Sequence, residues 1–205
     1  NYPVIVNVKA TPARCKDMLV DAGANLTINE GKALTVHGNL SNSGTIRVKT
    51  GVGGSQQTTY DGSLLVLGDR TATGTYNIER YFSGNFWHMV SSPITNATAN
   101  IFINAWLRPY NEATNSWGAF ISSTSTPLTT GQGFAVWSYN ASENRTFSGL
   151  INHINSGGSS ITMPVQYTNN PNLGPTQKGW NLIGNPYPCA ISWNQSAGWS
   201  KSGIA

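Results

Sequence analysis

Eight carboxylates, three histidines and two cysteines lead the side chains of this 205-residue chain that could carry acid–base, nucleophilic or metal chemistry, with serine hydroxyls beside them. Asp17, Asp21, Glu30, Asp61, Asp69, Glu79, Glu112 and Glu143 stand singly on turns and strand edges. A glycosidase needs two carboxylates flanking one bond, and no two of these are spaced to be neighbours, so the fold would have to assemble such a pair from distant positions. Glu79 beside Arg80 reads as a local ion pair. A polysaccharide lyase needs a basic proton acceptor and commonly calcium, and no acidic cluster for calcium is present. His88 near Ser91 and Ser92 suggests a triad, but there is no Gly-x-Ser-x-Gly elbow, and on a regular strand His88 faces away from Ser91. His37 and His153 are far apart and make weak metal ligands. Cys15 and Cys189 form no Cys-x-x-Cys or Cys/His pattern, so no structural zinc is expected. Either they join the two ends of the chain as a disulfide or, more plainly, both are buried free thiols. Gly131-Gln132-Gly133 and Gly51-Val52-Gly53-Gly54 lack the lysine and following helix of a phosphate cradle and read as turns. The chain is expected to be non-catalytic, with no metal and no cofactor.

The aromatic residues carry the remaining functional potential. Trp106, Tyr110, Trp117, Trp193 and Trp199 lie in polar, turn-rich surroundings, where an exposed ring can stack on the apolar face of a sugar while Asn and Gln bond its hydroxyls. Trp87, Trp137 and Trp180 sit on apolar strands and read as core filler. The 12 basic residues are scattered singly from Lys9 to Lys201 against 8 acids, a distribution without the cluster that a nucleic-acid face requires. No apolar run approaches the ~18 residues of a membrane span, so membrane insertion is not expected. The Asn-x-Ser/Thr triplets follow from composition and carry no argument.

The elements that position these rings are expected to be strands. Asn, Ser, Thr and Gly account for 87 residues, and Lys, Arg, Asp and Glu together for only 20; the abundant four compete with or loosen a helical backbone. From Asp17 to Gly68 the apolar residues form very short clusters: Leu19-Val20, Leu26 and Ile28, Leu34 and Val36, Leu40, Ile46 and Val48, then Leu64 to Leu67. Steps of 7, 8, 6 and 6 lead from Leu19 to Leu26, Leu34, Leu40 and Ile46. That spacing fits a short right-handed parallel β-helix-like solenoid, with Gly or Asn taking the left-handed conformation at each corner. Leu26, Ile28, Leu34, Val36, Leu40, Ile46 and Val48 are then expected to share one interior. Gly51 to Gly62 breaks the spacing and reads as a loop thrown out from a corner.

From Gly74 onward longer alternating strands are expected over Thr75 to Phe82, Phe86 to Ser91, Gly133 to Ser138, Arg145 to Leu150, Ser160 to Val165 and Trp180 to Gly184, a pattern suited to an antiparallel β-sandwich. The all-β chain therefore divides into a stem over residues 1–70 and a sandwich module over 74–205. Phe86-Trp87-His88-Met89-Val90-Ser91-Ser92-Pro93 matches Gly179-Trp180-Asn181-Leu182-Ile183-Gly184-Asn185-Pro186 at a constant offset, so an incomplete second repeat from about residue 179 is expected, with Trp87 and Trp180 equivalent and buried. The first copy is followed by counterparts that the second lacks before Ala205, which leads to the expectation of a fragment of a longer polypeptide, its targeting signal removed.

Asn77-Ile78-Glu79-Arg80-Tyr81-Phe82, the two Trp motifs, Gly131-Gln132-Gly133-Phe134 and Gly184-Asn185-Pro186-Tyr187-Pro188 together resemble a module of large secreted and cell-surface proteins of Bacteroidota, which usually end in a type IX secretion sorting domain. Cys15 to Val48 resembles the short β-helical stretch that commonly precedes it. The resemblance implies an extracellular or cell-surface location and a structural or adhesion role, with other domains of the same polypeptide or neighbouring surface proteins as partners. A carbohydrate-binding module taking a polysaccharide through exposed tryptophans is the second reading, and a fragment of a polysaccharide-acting enzyme the third.

Overall fold

The fold is that of a computed structural model, which describes residues 4–7, 12–52, 59–139, 142–158, 160–163 and 165–194. It is all-β: the helical content of the described residues is three single 3-10 turns, at Ala99–Phe102, Glu112–Thr114 and Pro175–Gln177. No helix among these residues is long and apolar enough to cross a membrane.

The first half is built from strands of three or four residues: β1 (Val4–Val6), β2 (Ala13–Cys15), β3 (Met18–Val20), β4 (Asn25–Ile28), β5 (Ala33–Val36), β6 (Leu40–Asn42) and β7 (Thr45–Val48). After them come β8 (Thr50–Val52), β9 (Thr59–Asp61), β10 (Ser63–Val66), β11 (Arg70–Ala72) and the nine-residue β12 (Thr75–Ser83). Strands consecutive in sequence go to different sheets, and pairing is parallel. β1, β4, β7 and β12 stack in one sheet, β2, β5 and β10 in a second, β3, β6 and β11 in a third. Leu26 stands beside Ile46 and Ile46 beside Tyr76, while Ile28, Val48 and Ile78 form the next column. Leu34 and Val36 meet Leu64 and Val66 in the second sheet. The alternating pattern of each strand sends these side chains to one interior, and all seven residues expected there are buried in one continuous core. Each such burial stabilises by about 1.5–3 kcal/mol.

The corners differ from expectation. Among the described residues of this half only Gly23 and Gly31 have φ in the left-handed region, and the left-handed asparagines (Asn85, Asn96, Asn104 and Asn115) all lie beyond β12. The other corner glycines answer to crowding. A Cβ on Gly74 would lie 2.2 Å from the Gly44 carbonyl oxygen, and one on Gly68 would lie 2.4 Å from that of Gly38. Successive corners thus stack backbone on backbone, and a side chain has no room. The segment that breaks the spacing is a hairpin, β8 paired antiparallel with β9, and its base closes where Gly62 N–H bonds the Lys49 carbonyl at 2.7 Å.

β12 runs from the parallel region into the second half, which adds β13 (Trp87–Val90), β14 (Ala105–Asn111), β15 (Ser116–Trp117), β16 (Phe134–Ser138) and β17 (Ser142–Gly149). β17 lies antiparallel along the length of β12. The other four form a separate antiparallel sheet in the order β13-β16-β14-β15. Its inward residues Leu107, Phe134 and Val136 join the same core as the parallel strands of the first half. Phe102 stands edge-on to Phe82 at 5.8 Å and to Phe147 at 5.9 Å. Buried Arg145 donates to Glu143 and to the carbonyls of Ile101 and Ile103, fixing the 3-10 turn that carries Phe102.

Two expected strands are absent. The described parts of Ser160–Val165 and all of Trp180–Gly184 are irregular chain, touching the sheet through a single bridge between Gln132 and Ile183. The Asn181 side chain ties the flanking chain together: its amide accepts from Gln166 N–H and donates to the carbonyls of Gln166 and Gly179. Trp87 on β13 and Trp180 are therefore not equivalent, and both are exposed, Trp180 by 62%. The two motif copies instead lie against one another. Ser91 Oγ donates to the Asn185 carbonyl at 2.6 Å, and Asn152 Nδ2 bridges the carbonyls of Ser92 and Pro186. Gly133 N–H bonds the Leu182 carbonyl, and Gly184 N–H that of Gly131. The other ion-pair expectation also changes: Glu79 pairs with Arg47 across the parallel sheet, and Arg80 lies 3.7 Å from Asp61. Both cysteines are free and partly exposed, so they neither form the disulfide nor sit fully buried.

Candidate binding face

The outward face of the four-stranded sheet gathers the exposed side chains of Trp87, Trp106, Trp117, Phe120 and Tyr139. Register places Trp87, Trp137 and Trp106 side by side on β13, β16 and β14, with Met89, Ala135 and Arg108 as the next row. Because side chains alternate along a strand, His88, Leu107 and Val136 point to the core and the tryptophans point away from it. Trp87 meets Trp137 at 5.5 Å. Beyond the end of β16, Tyr139 stands edge-on to Trp106 at 4.6 Å. At the far edge Tyr110 and Trp117, opposite one another in the β14–β15 pair, make a T-shaped contact at 5.5 Å.

The loop after β15 completes the face. Gly118 N–H bonds the Pro109 carbonyl and Ile121 N–H that of Leu107, and this tether brings Phe120 across the row, stacked on Trp87 at 6.5 Å and 5.6 Å from Trp106. Arg108 lies among the rings, its guanidinium carbon 4.8 Å from the centre of Trp87 and 5.2 Å from those of Trp117 and Phe120. Cation–π attraction of this kind contributes about 0.5–2 kcal/mol per contact. Trp106 and Trp117 remain 44% and 38% exposed and Phe120 48%. These rings form an apolar patch on an otherwise polar, Asn-rich chain.

Tyr110 is tied to Asn115 through its hydroxyl, and on its other side a cavity of about 420 Å³ opens, lined by Asn111, Gln132, Gln166 and Asn181 among others. A larger cavity of about 660 Å³ lies between β12, β13 and residues 185–190. Its reactive groups are already engaged. Arg80 has Asp61, burial pulls the Arg80 pKa down, and burial pushes the Cys189 thiol up, away from the thiolate a nucleophile needs. His88 Nε2 lies 2.9 Å from the Ser83 carbonyl and 3.3 Å from its hydroxyl, and Ser91 Oγ donates to the Asn185 carbonyl; Ser92, outside the lining, has its Oγ engaged by Ile94. The carboxylates are dispersed: Asp17 accepts from Asn39 N–H, Asp69 from Ser156 N–H, Glu30 pairs with Lys49, and buried Glu112 accepts from Thr168 and Gly179. Among the described residues no three His, Cys, Asp or Glu side chains gather as a metal site.

Of the residues singled out from sequence, Trp106, Tyr110 and Trp117 come together on this face, on strands rather than on turns. Trp193 is exposed in the irregular chain beyond β17, and Trp199 lies outside the described residues. Trp87, Trp137, Tyr139, Phe120 and Arg108 were not anticipated as members. The first two were assigned to the core, yet Trp87 is 39% exposed. For those on strands the signal is period two: Trp106-x-Arg108-x-Tyr110 and Trp137-x-Tyr139 place successive ring or cationic side chains on one face, and Trp87-x-Met89 a ring and a thioether.

Comparison with curated proteins and with solved structures gave no match. A family profile described as a domain of unknown function, DUF8693, matches residues 1–202. With nearly its whole length matched, the chain belongs to the DUF8693 family.

Proposed function

We propose that this chain is a non-catalytic adhesion module of a larger secreted or cell-surface protein, and that it binds carbohydrate through the aromatic face of its four-stranded sheet. The observation that carries this reading is the in-register row of Trp87, Trp137 and Trp106 on the outward face, bordered by Tyr110 and Trp117. The exposed parts of Trp106, Trp117 and Phe120 suit the apolar faces of pyranose rings, and the amides of the adjoining cavity suit their hydroxyls. The scattered, engaged carboxylates favour a binding role over hydrolysis. In this reading the parallel sheets form a short β-helical stem over residues 1–70, and the antiparallel sheets over 74–205 pack as a sandwich that presents the face. The likeness to Bacteroidota surface proteins that carry type IX sorting domains supports an extracellular location. A glycan-array screen of the purified chain tests it: retention of at least one glycan class, lost in Trp106→Ala, is expected, and an array on which no glycan is retained contradicts it.

A further inference from the structure

We propose that the ligand of this face is an acidic polysaccharide, specifically one containing uronic acids, and that Arg108 is the residue that holds the uronate carboxylate; this inference rests on the carbohydrate reading above. Arg47, Lys49, Arg80 and Arg145 each have a carboxylate within 4 Å. Arg108 sits on the binding face itself and has no carboxylate within that distance among the described residues. Its Nε is buried without a hydrogen-bond partner. Three rings, Trp87, Trp117 and Phe120, hold the guanidinium in place, so its side-chain entropy is already spent before a ligand arrives. A planar, immobilised and unpaired guanidinium matches a carboxylate in a two-pronged, charge-assisted hydrogen bond. A uronic acid carries that carboxylate at the rim of a ring whose apolar face can stack on a neighbouring aromatic. Neutral sugars would leave the cation unanswered, whereas a uronan supplies the missing charge on the surface where its rings would lie. With a net charge of +4 and only 8 acids in the chain, long-range electrostatics also favour a polyanion.

The test measures binding of the full chain to polygalacturonate, alginate and hyaluronan, each beside a counterpart whose carboxylates have been reduced to alcohols. Ring configuration and linkages are then the same, and the polymers differ at C6, a carboxylate in one and a neutral hydroxymethyl in the other. At least one uronan should bind about tenfold or more tighter than its reduced form, with affinity falling as salt rises. Arg108→Met, which keeps a flexible apolar stem among the rings, should abolish the preference for the charged polymer. If every uronan binds no better than its reduced counterpart, the inference is overturned. A neutral glycan retained on the array with no uronan preference would leave the carbohydrate reading standing and reject the acidic one, while binding of no glycan at all would reject both.

Discussion

Glu112 illustrates how single residues hold the irregular chain onto the sheet. It sits in the 3-10 turn after β14 and accepts hydrogen bonds from Thr168 N–H, Thr168 Oγ1 and Gly179 N–H. The backbone donor of Thr168 chiefly holds its carboxyl below the ordinary value of 4.5. A carboxylate with a depressed folded pKa stabilises the protein above its unfolded pKa, and that contribution is lost as pH falls through the folded value. The melting temperature is therefore expected to drop from about pH 6 to about pH 3. Glu112→Gln should lower it at the upper pH and flatten this drop, and thermal scans of both proteins at both pH values check the sign. At this scale the sequence was legible for packing and opaque for partners. The buried side chains of the short parallel strands were readable because period-two apolarity needs no knowledge of neighbours. Arg108 was not, because a cation between Leu107 and Pro109 reveals nothing of rings that arrive from β13 and from the loop after β15.

Among the elements, the corners carry the sharpest constraint. Gly44 and Gly74 lie one above the other at equivalent corners, so a side chain at Gly74 strikes backbone that has nowhere to move. Gly74→Ala should cost about 1–3 kcal/mol, in the range of overpacking in a filled site. By comparison Gly157, where a Cβ meets nothing within 4 Å, carries strain only from its positive φ. Urea denaturation of Gly74→Ala against the unaltered chain measures the difference, and an unchanged midpoint would mean the corners are not packed as described. The expectation of left-handed glycine turns misses the reason for these two glycines, since close approach of two turns thirty residues apart leaves no local mark. The strands expected at Ser160–Val165 and Trp180–Gly184 were misread for the converse reason: their local pattern is strand-like, but among the described residues no strand pairs with them beyond the isolated Gln132–Ile183 bridge. The Trp and Gly-Asn-Pro motifs, legible as a repeat, turn out to meet as a clasp between Ser91-Ser92, Gly131–Gly133 and residues 182–186.

In the whole molecule, β12 is shared. It pairs with β7 on one side and β17 on the other, and one buried core runs from Leu26 and Ile46 through Tyr76 to Phe102 and Phe147. Such continuity couples the halves, and unfolding is expected to be a single transition. All seven tryptophans lie beyond residue 74, so fluorescence reports the second half alone while far-ultraviolet circular dichroism reports strands of both. The two signals should give one midpoint in urea, and separate midpoints would show that the stem and the module fold independently. The outward sheet face is free to be altered without disturbing this core, because Trp106 and Phe120 point away from Leu107 and Val136. Calorimetric titration of the glycan retained on the array into the unaltered chain and into the double variant Trp106→Ala/Phe120→Ala is therefore the most direct test of the binding face. Affinity should fall about tenfold or more, the loss expected when central aromatic contacts are truncated, with the unfolding midpoint nearly unchanged. Equal affinity in the two proteins, each folded, would contradict a carbohydrate site on this face.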